Sequence, residues 1–355
     1  MEKQGFSSDV RRLQRTGQST FIVSLPKNWV EEMKLSKGDL VNILRHGDNS
    51  LLLSPRDTGK SSENLEATLE ISSSEDPNSV IRKLVALYFG GFRTIKVKDN
   101  IITPEQRDAI KGFVRRKFVG TEIVTESRSE ITLHMLLSYA ELPIDTAMRR
   151  MSLLATSMHQ DVVIALKELN YDLATQVSKM DDEIDRFNFY IIRQLNTTLQ
   201  RINLPREIGL DSLSECLGYR LITKAVERIA DHAVKIADNI KLIKEPISQE
   251  MYKKIDEMSI FSTSMFEASI ASLFKRDVGL ADEVVQRKAV IEHHESELIR
   301  FIFTSEKSVD TVSSLRLIVE SLKRVSDYSS DIAETVIDVM VPNSTRVTIQ
   351  PSISI

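Results

Sequence analysis

Met180-Asp181-Asp182-Glu183-Ile184-Asp185-Arg186 and Val226-Glu227-Arg228-Ile229-Ala230-Asp231-His232-Ala233-Val234-Lys235-Ile236-Ala237-Asp238 share an acidic pattern from which the architecture of this chain can be worked out. Both lie in one long helical region, and each sets two acids four residues apart: Asp181 with Asp185, Glu227 with Asp231. Residues i and i+4 share a helix face, so like charges at that spacing weaken an isolated helix by about a few tenths of a kcal/mol. The arrangement calls for a cation, for basic partners or for open solvent. A shared metal is the sharpest of these.

Around these stretches, residues 139–341 read as helical throughout. The expected helices are Ile144–Lys167, Tyr171–Arg201, Leu210–Lys244, Ser248–Phe274, Leu280–Phe303 and Val309–Met340, punctuated at Asn203-Leu204-Pro205, Glu245-Pro246 and Gly279. The second three follow the first three at an offset of about 100–110 residues, which points to a duplicated three-helix unit, 139–245 and 246–341. Such lengths favour antiparallel bundles. The tail 342–355, with Pro342 and Pro351, is expected to leave the helix.

Upstream, residues 60–138 change period. Strands are expected at Leu65–Ile71, Thr94–Val97, Thr121–Thr125 and Ile131–Leu136, and helices at Pro77–Phe89 and Pro104–Lys117. Gly90-Gly91 reads as a helix stop rather than an anion cradle, and Arg115-Arg116-Lys117 as a solvated helix end favoured by the dipole. The role of this α/β layer is not legible. Before it, Asp57-Thr58-Gly59-Lys60-Ser61-Ser62 reads as a linker.

Residues 1–56 alternate short β-prone runs with turns. Thr20–Leu25 reads as a strand, Pro26 opens a short helix Lys27–Met33, Ser36-Lys37-Gly38-Asp39 turns, and Leu40–Arg45 with Ser50–Ser54 form a hairpin about His46–Asn49. So small a unit buries little by itself, and dimerisation would supply the missing core. It holds nine Lys and Arg against six Asp and Glu, although the whole chain carries a net charge of −4.

With 355 residues, 41% hydrophobic and 28% charged, the chain has ample core-forming material. No stretch approaches the roughly 18 uncharged apolar residues that span a bilayer, and the N-terminus lacks an apolar leader core, so a cytoplasmic protein is expected. The lone Cys216 cannot form an internal disulfide and reads as a small buried residue.

Two resemblances follow from these motifs. Arg11-Arg12-Leu13-Gln14-Arg15, Gly17, Leu25-Pro26-Lys27 and Leu35-Ser36-Lys37-Gly38-Asp39, in that order, resemble an AbrB-like swapped-hairpin domain over about 45 residues. The resemblance implies a dimeric head whose Arg11, Arg12, Arg15 and Lys27 contact DNA. The alternative is a solvated basic face on a dimerisation module.

The two acidic stretches resemble the PhoU family over about 200 residues, the run from Glu227 to Ala237 most specifically. That implies tandem three-helix bundles regulating phosphate uptake, and a metal, iron or zinc, held by Asp181, Asp185, Glu227 and Asp231. The residues themselves agree in part. Facing acid pairs form a carboxylate box suited to hard cations and first-row metals, but no histidine shell for a closed zinc site is evident. The other reading of the acids is ion pairing with Lys179, Arg186, Lys224 and Arg228. His232 points about 100° away from Asp231 and reads as a surface or second-layer residue. The second repeat departs from the pattern: Lys288 and Lys323 stand where its acids belong, and either could neutralise Glu292 or Asp327 internally.

The expected fold is thus α+β and multidomain: a swapped-hairpin β head, a small α/β layer and tandem all-α bundles. The expected function is a phosphate-responsive transcriptional regulator, a homodimer or higher, with a DNA-binding head and a metal-binding body. The alternative is an adaptor for a phosphate transporter or sensor kinase that uses its head only to dimerise. No phosphate loop, nucleophile elbow or Cys/His pair argues for an enzyme.

Overall fold

The computed structural model describes residues 10–17, 19–45, 50–56, 65–137, 141–200, 210 and 215–344. The expected turns at His46–Asn49 and Asn203–Pro205, the linker 57–62 and the tail beyond Ser344 lie outside the described residues. The chain divides into two compact units, 1–64 and 65–355.

In the first unit, β1 (Gln14–Thr16) pairs antiparallel with β2 (Thr20–Ile22), Arg15 opposite Phe21. Gly17 between them adopts φ +70°, a conformation that glycine reaches without strain. The ladder is shorter than the expected Thr20–Leu25. Helix α1 (Lys27–Glu32) starts after Pro26, and the chain turns away from it at Lys34, whose φ is +54°. A second hairpin joins β3 (Val41–Arg45) to β4 (Leu51–Pro55) in the register Val41↔Pro55, Ile43↔Leu53, Arg45↔Leu51. None of the described residues of this unit is buried, and Leu13, Phe21, Ile43 and Leu51 are each more than 60% exposed. The apolar material is there, but one copy does not enclose it.

The second unit begins with a four-stranded sheet. Strands β5 (Glu66–Glu70), β6 (Thr94–Lys98), β7 (Thr121–Glu126) and β8 (Glu130–Met135) lie in the order β5-β6-β8-β7, with β5 and β6 parallel and the rest antiparallel. The parallel pair needs a crossover, which α2 (Pro77–Phe89) supplies; α3 (Pro104–Lys117) follows β6. Both helices begin as their residues dictate. Asp76 caps α2 by accepting from the Ser79 amide at 3.0 Å, and Thr103 with Gln106 forms a capping box on α3. Ile95, Val97, Ile131 and Leu133 pack from the sheet against Val80, Leu84, Tyr88, Ile110 and Val114.

The helical body follows: α4 (Ile144–Glu168), α5 (Tyr171–Gln200), α6 (Glu215–Ile240), α7 (Gln249–Lys275), α8 (Val278–Gln286), α9 (Lys288–Ser305) and α10 (Val309–Ser344). One apolar core runs through all of them. The halves α4–α6 and α7–α10 meet where α6 crosses α10, and there a Cβ on Gly218 would stand 2.3 Å from the Val339 side chain. Three expectations change. Gly279 lies inside α8, because the chain turns earlier, at Arg276 with φ +55°, and Asp277 caps the new helix. The expected single helix Leu280–Phe303 is broken at Arg287, whose guanidinium donates to Ser264 Oγ at 2.7 Å and stacks on Phe261. Helix α10 continues through Pro342 to Ser344, since a proline in the last turn removes a single ladder bond.

The α/β layer is fastened to one face of α5. Phe189 sits among Phe89, Phe113 and Phe118, with ring centroids 5.3–6.4 Å apart. One turn on, buried Arg193 donates to the backbone oxygens of Tyr88, Gly91 and Phe92 at 2.5, 3.1 and 2.9 Å. Gly91 does more than stop α2: its φ is +83°, and a Cβ there would meet Thr197 Oγ1 at 2.7 Å.

Candidate functional site: the acidic face of α5 and α6

The four acids expected as ligands lie on α5 and α6 within electrostatic reach of one another. Asp181 on α5 and Asp231 on α6 each feel the charges of Asp185 and Glu227. Burial first, then the charges of Asp185 and Asp231, push Asp181 up to about 6, while Lys117 opposes. Burial and Glu227 likewise raise Asp231, against Lys224. One oxygen of Asp181 is buried with no hydrogen-bond partner.

The cations answering these charges come from three helices. On α6, Lys224 donates to both Glu227 oxygens at 2.6 and 2.5 Å. On α5, Arg186 pairs with Glu183 at 2.9 Å. The third cation was not expected: Lys117, the last residue of α3, donates to Asp182 and, at 2.7 Å, to Asp185. Its side chain is only 15% exposed. Burial disfavours the ammonium, but the bonds to Asp182 and then Asp185 outweigh that and raise its pKa. Lys117 is therefore no solvated helix end.

The set does not fit a metal. Asp185 and Glu227 are each taken by a lysine, and among the described residues no three His, Cys, Asp or Glu side chains are placed to hold one ion.

Of the two positions expected for His232, surface or second layer, the surface is excluded. The imidazole is buried, tilts against the Tyr328 ring at 5.8 Å and leaves its Nδ1 without a partner. Sequence reasoning missed His159 on α4, wholly enclosed, whose Nε2–H donates to the Ile229 carbonyl at 2.8 Å. Burial holds both imidazoles down to about 4.

In the second half the expected lysine pairing is seen at Asp327. Lys323 pairs with Asp327 at 3.1 Å and Arg324 with the same oxygen at 3.6 Å. Lys288 lies near Asp331 and opposes the rise that burial and Glu334 impose on it. His293 is exposed and pairs with Glu297, whereas His294 packs on Phe261.

In the head, Arg11, Arg12, Arg15 and Lys27 are all exposed. Arg11 and Arg12 precede β1 and Arg15 lies within it; Lys27 opens α1 and pairs with Glu31 at 3.5 Å.

Comparison with known proteins places these parts. A PhoU domain matches residues 148–240 and again 255–336, the two halves of the helical body. A bacterial antitoxin family, antidote-toxin recognition MazE, matches 14–61. Residues 62–147, which hold the α/β layer, fall outside both. A phosphate-specific transport system accessory protein PhoU homolog of Pseudomonas putida is 27% identical over 182 residues, covering 50% of this chain and 70% of its own. Its namesake from Clostridium acetobutylicum is 24% identical over 192 residues, covering 53% and 86%. The crystal structure of PhoU from Pseudomonas aeruginosa superposes with a TM-score of 0.51 at 24% identity, over 57% of this chain and 96% of that one. That likeness fixes the fold of the body. No described helix is long and apolar enough to cross a membrane.

Proposed function

We propose that the chain, whose helical body matches the PhoU domain and whose head matches the MazE antitoxin family, is a phosphate-responsive regulator. In this reading it dimerises through its head, contacts DNA with Arg11, Arg12, Arg15 and Lys27, and takes its signal on the helical body from phosphate-transport components in the cytoplasm. It is a regulatory accessory protein, not an enzyme. The observation that carries the reading is the covalent joining of an exposed basic head, unable to bury its own apolar residues, to a body otherwise found in transport accessory proteins. A second copy would cover Phe21, Ile43 and Leu51 and would double the arginines on one surface.

Phosphate contacts make affinity fall with salt at a log–log slope of about −0.9 per contact. The full-length protein is expected to bind duplex DNA at low salt, and Arg12→Ala/Arg15→Ala to bind more weakly with a shallower slope while remaining a dimer. No DNA binding by the wild type, or an unchanged slope in the variant, transfers the lead to the adaptor reading. The pairing of Lys27 with Glu31 favours that second reading. It predicts co-purification with transporter or sensor-kinase subunits, and not with chromatin, from cells grown with and without phosphate.

A further inference from the structure

Along α5, residues 182, 185, 189, 193 and 197 recur every three or four positions and therefore share one face. Every one of them meets the α/β layer: Asp182 and Asp185 meet Lys117, Phe189 the aromatic cluster, Arg193 the end of α2, and Thr197 the backbone at Gly91. Two of the acids in the motif thus belong to a docking stripe. Lys117 lies on the buried stripe of its own helix, after Gln106, Ile110 and Val114. An ammonium so enclosed needs carboxylate partners, because an unpaired buried charge costs several kcal/mol. It also sits in the last turn of α3, where the helix carbonyls favour a cation.

We propose that Lys117 is the resident cation of this acidic face: it holds Asp185, one of the four acids expected to bind a metal, and the Asp182/Asp185 pair serves to lock the α/β layer onto α5. A divalent ion on Asp185 would have to lie within a few ångströms of the ammonium, and like charges at that range repel strongly in a partly buried setting. The acidic motif of the first half therefore works as an internal joint. The layer, which lies outside both family matches, supplies the charge that the motif lacks.

The test uses the full-length chain, stripped by dialysis against a chelator, in two measurements. Calorimetric titration with Mn²⁺ and with Zn²⁺ is expected to show no stoichiometric uptake by the wild type. Hydrogen exchange, read over 104–117 and 178–190, is expected to rise at least tenfold in both segments in Lys117→Met and in Asp185→Asn, and to stay near wild type in Lys117→Arg, which keeps the charge. One metal per chain bound by the wild type at micromolar concentration overturns the proposal. So does exchange in Lys117→Met that matches the wild type. If Lys117→Met does not fold, Lys117→Arg and the wild-type titration still decide: loss of protection with arginine, or uptake of metal, is a negative result.

Discussion

The two halves of the helical body share a family model and differ in how they settle their charge. In α7–α10 the cation is local, with Lys323 one turn before Asp327 on the same helix and Arg324 beside it. In α4–α6 the lysine on α5's acids arrives from a different layer, although each half leaves one carboxylate oxygen, on Asp181 and on Asp327, buried without a hydrogen-bond partner. A pair of residues on one helix forms wherever that helix forms. A pair between layers forms only when the layers are docked. The acid at Asp327 is answered within its own helix, whereas Asp182 and Asp185 are answered only with the α/β layer in place.

The largest test of that difference is the docking itself. Arg193→Ala removes three charge-assisted bonds to backbone oxygens that would stay buried, and each such bond is worth about 1.5–3 kcal/mol. A loss of about 3–5 kcal/mol is expected in urea unfolding. Arg287→Ala in the second half, which gives up one bond to Ser264 and a stacking contact, is expected to cost about 1 kcal/mol. Equal losses would mean that the α/β layer is held no more firmly by Arg193 than α8 and α9 are by Arg287.

Acid separates the halves next. His159 and His232 belong to the first half, whereas the second buries no histidine among its described residues. Their folded pKa of about 4 lies below the ordinary 6.5, so the unfolded chain takes up protons first. The stability they contribute is present above about 6.5 and is lost as pH falls towards 4; for His159 this amounts to about 3 kcal/mol. Asp181 works in the opposite sense, since a raised carboxyl contributes stability that is lost as pH rises through about 6. Melting measured from pH 7 to pH 4.5 is expected to fall, with hydrogen exchange rising in α4–α6 before α7–α10. Replacing His159 with glutamine is expected to flatten the profile.

Much of this was legible in the chain. Helices α2 and α3 fall on the expected residues because proline opens each and a Gly-Gly pair or a new strand closes it. The Lys323–Asp327 pair was legible because both partners lie on one helix. What was hidden is tertiary. The break at Arg287 depends on Ser264 and Phe261, more than twenty residues upstream. Lys117 left one sign in the sequence, its place on the stripe Gln106–Ile110–Val114, where a lysine demands a carboxylate. The demand could be read from α3, but not the identity of the partner on α5. His159 carried no motif at all, being one polar residue on the buried face of an apolar helix.

The smallest expected effect is also the one that divides the halves by sign. Asp181→Asn removes a charge from a cluster where burial, Asp185 and Asp231 all oppose ionisation, and its nearest relief, Lys117, is already committed to Asp182 and Asp185. The isosteric amide keeps the shape and can donate as well as accept. Neutral-pH stability should therefore rise, by about 1 kcal/mol after allowance for solvent screening. Asp327→Asn does the reverse. Its carboxylate is the partner of Lys323 and Arg324, and the loss leaves a half-buried ammonium unpaired, at a cost of about 1–2 kcal/mol. The two variants, measured side by side by urea unfolding at pH 7, should shift the midpoint in opposite directions. If both destabilise, the first half already holds its charges as securely as the second. If Asp181→Asn stabilises only when Lys117 is intact, the layer's lysine is what keeps the remaining acids in balance.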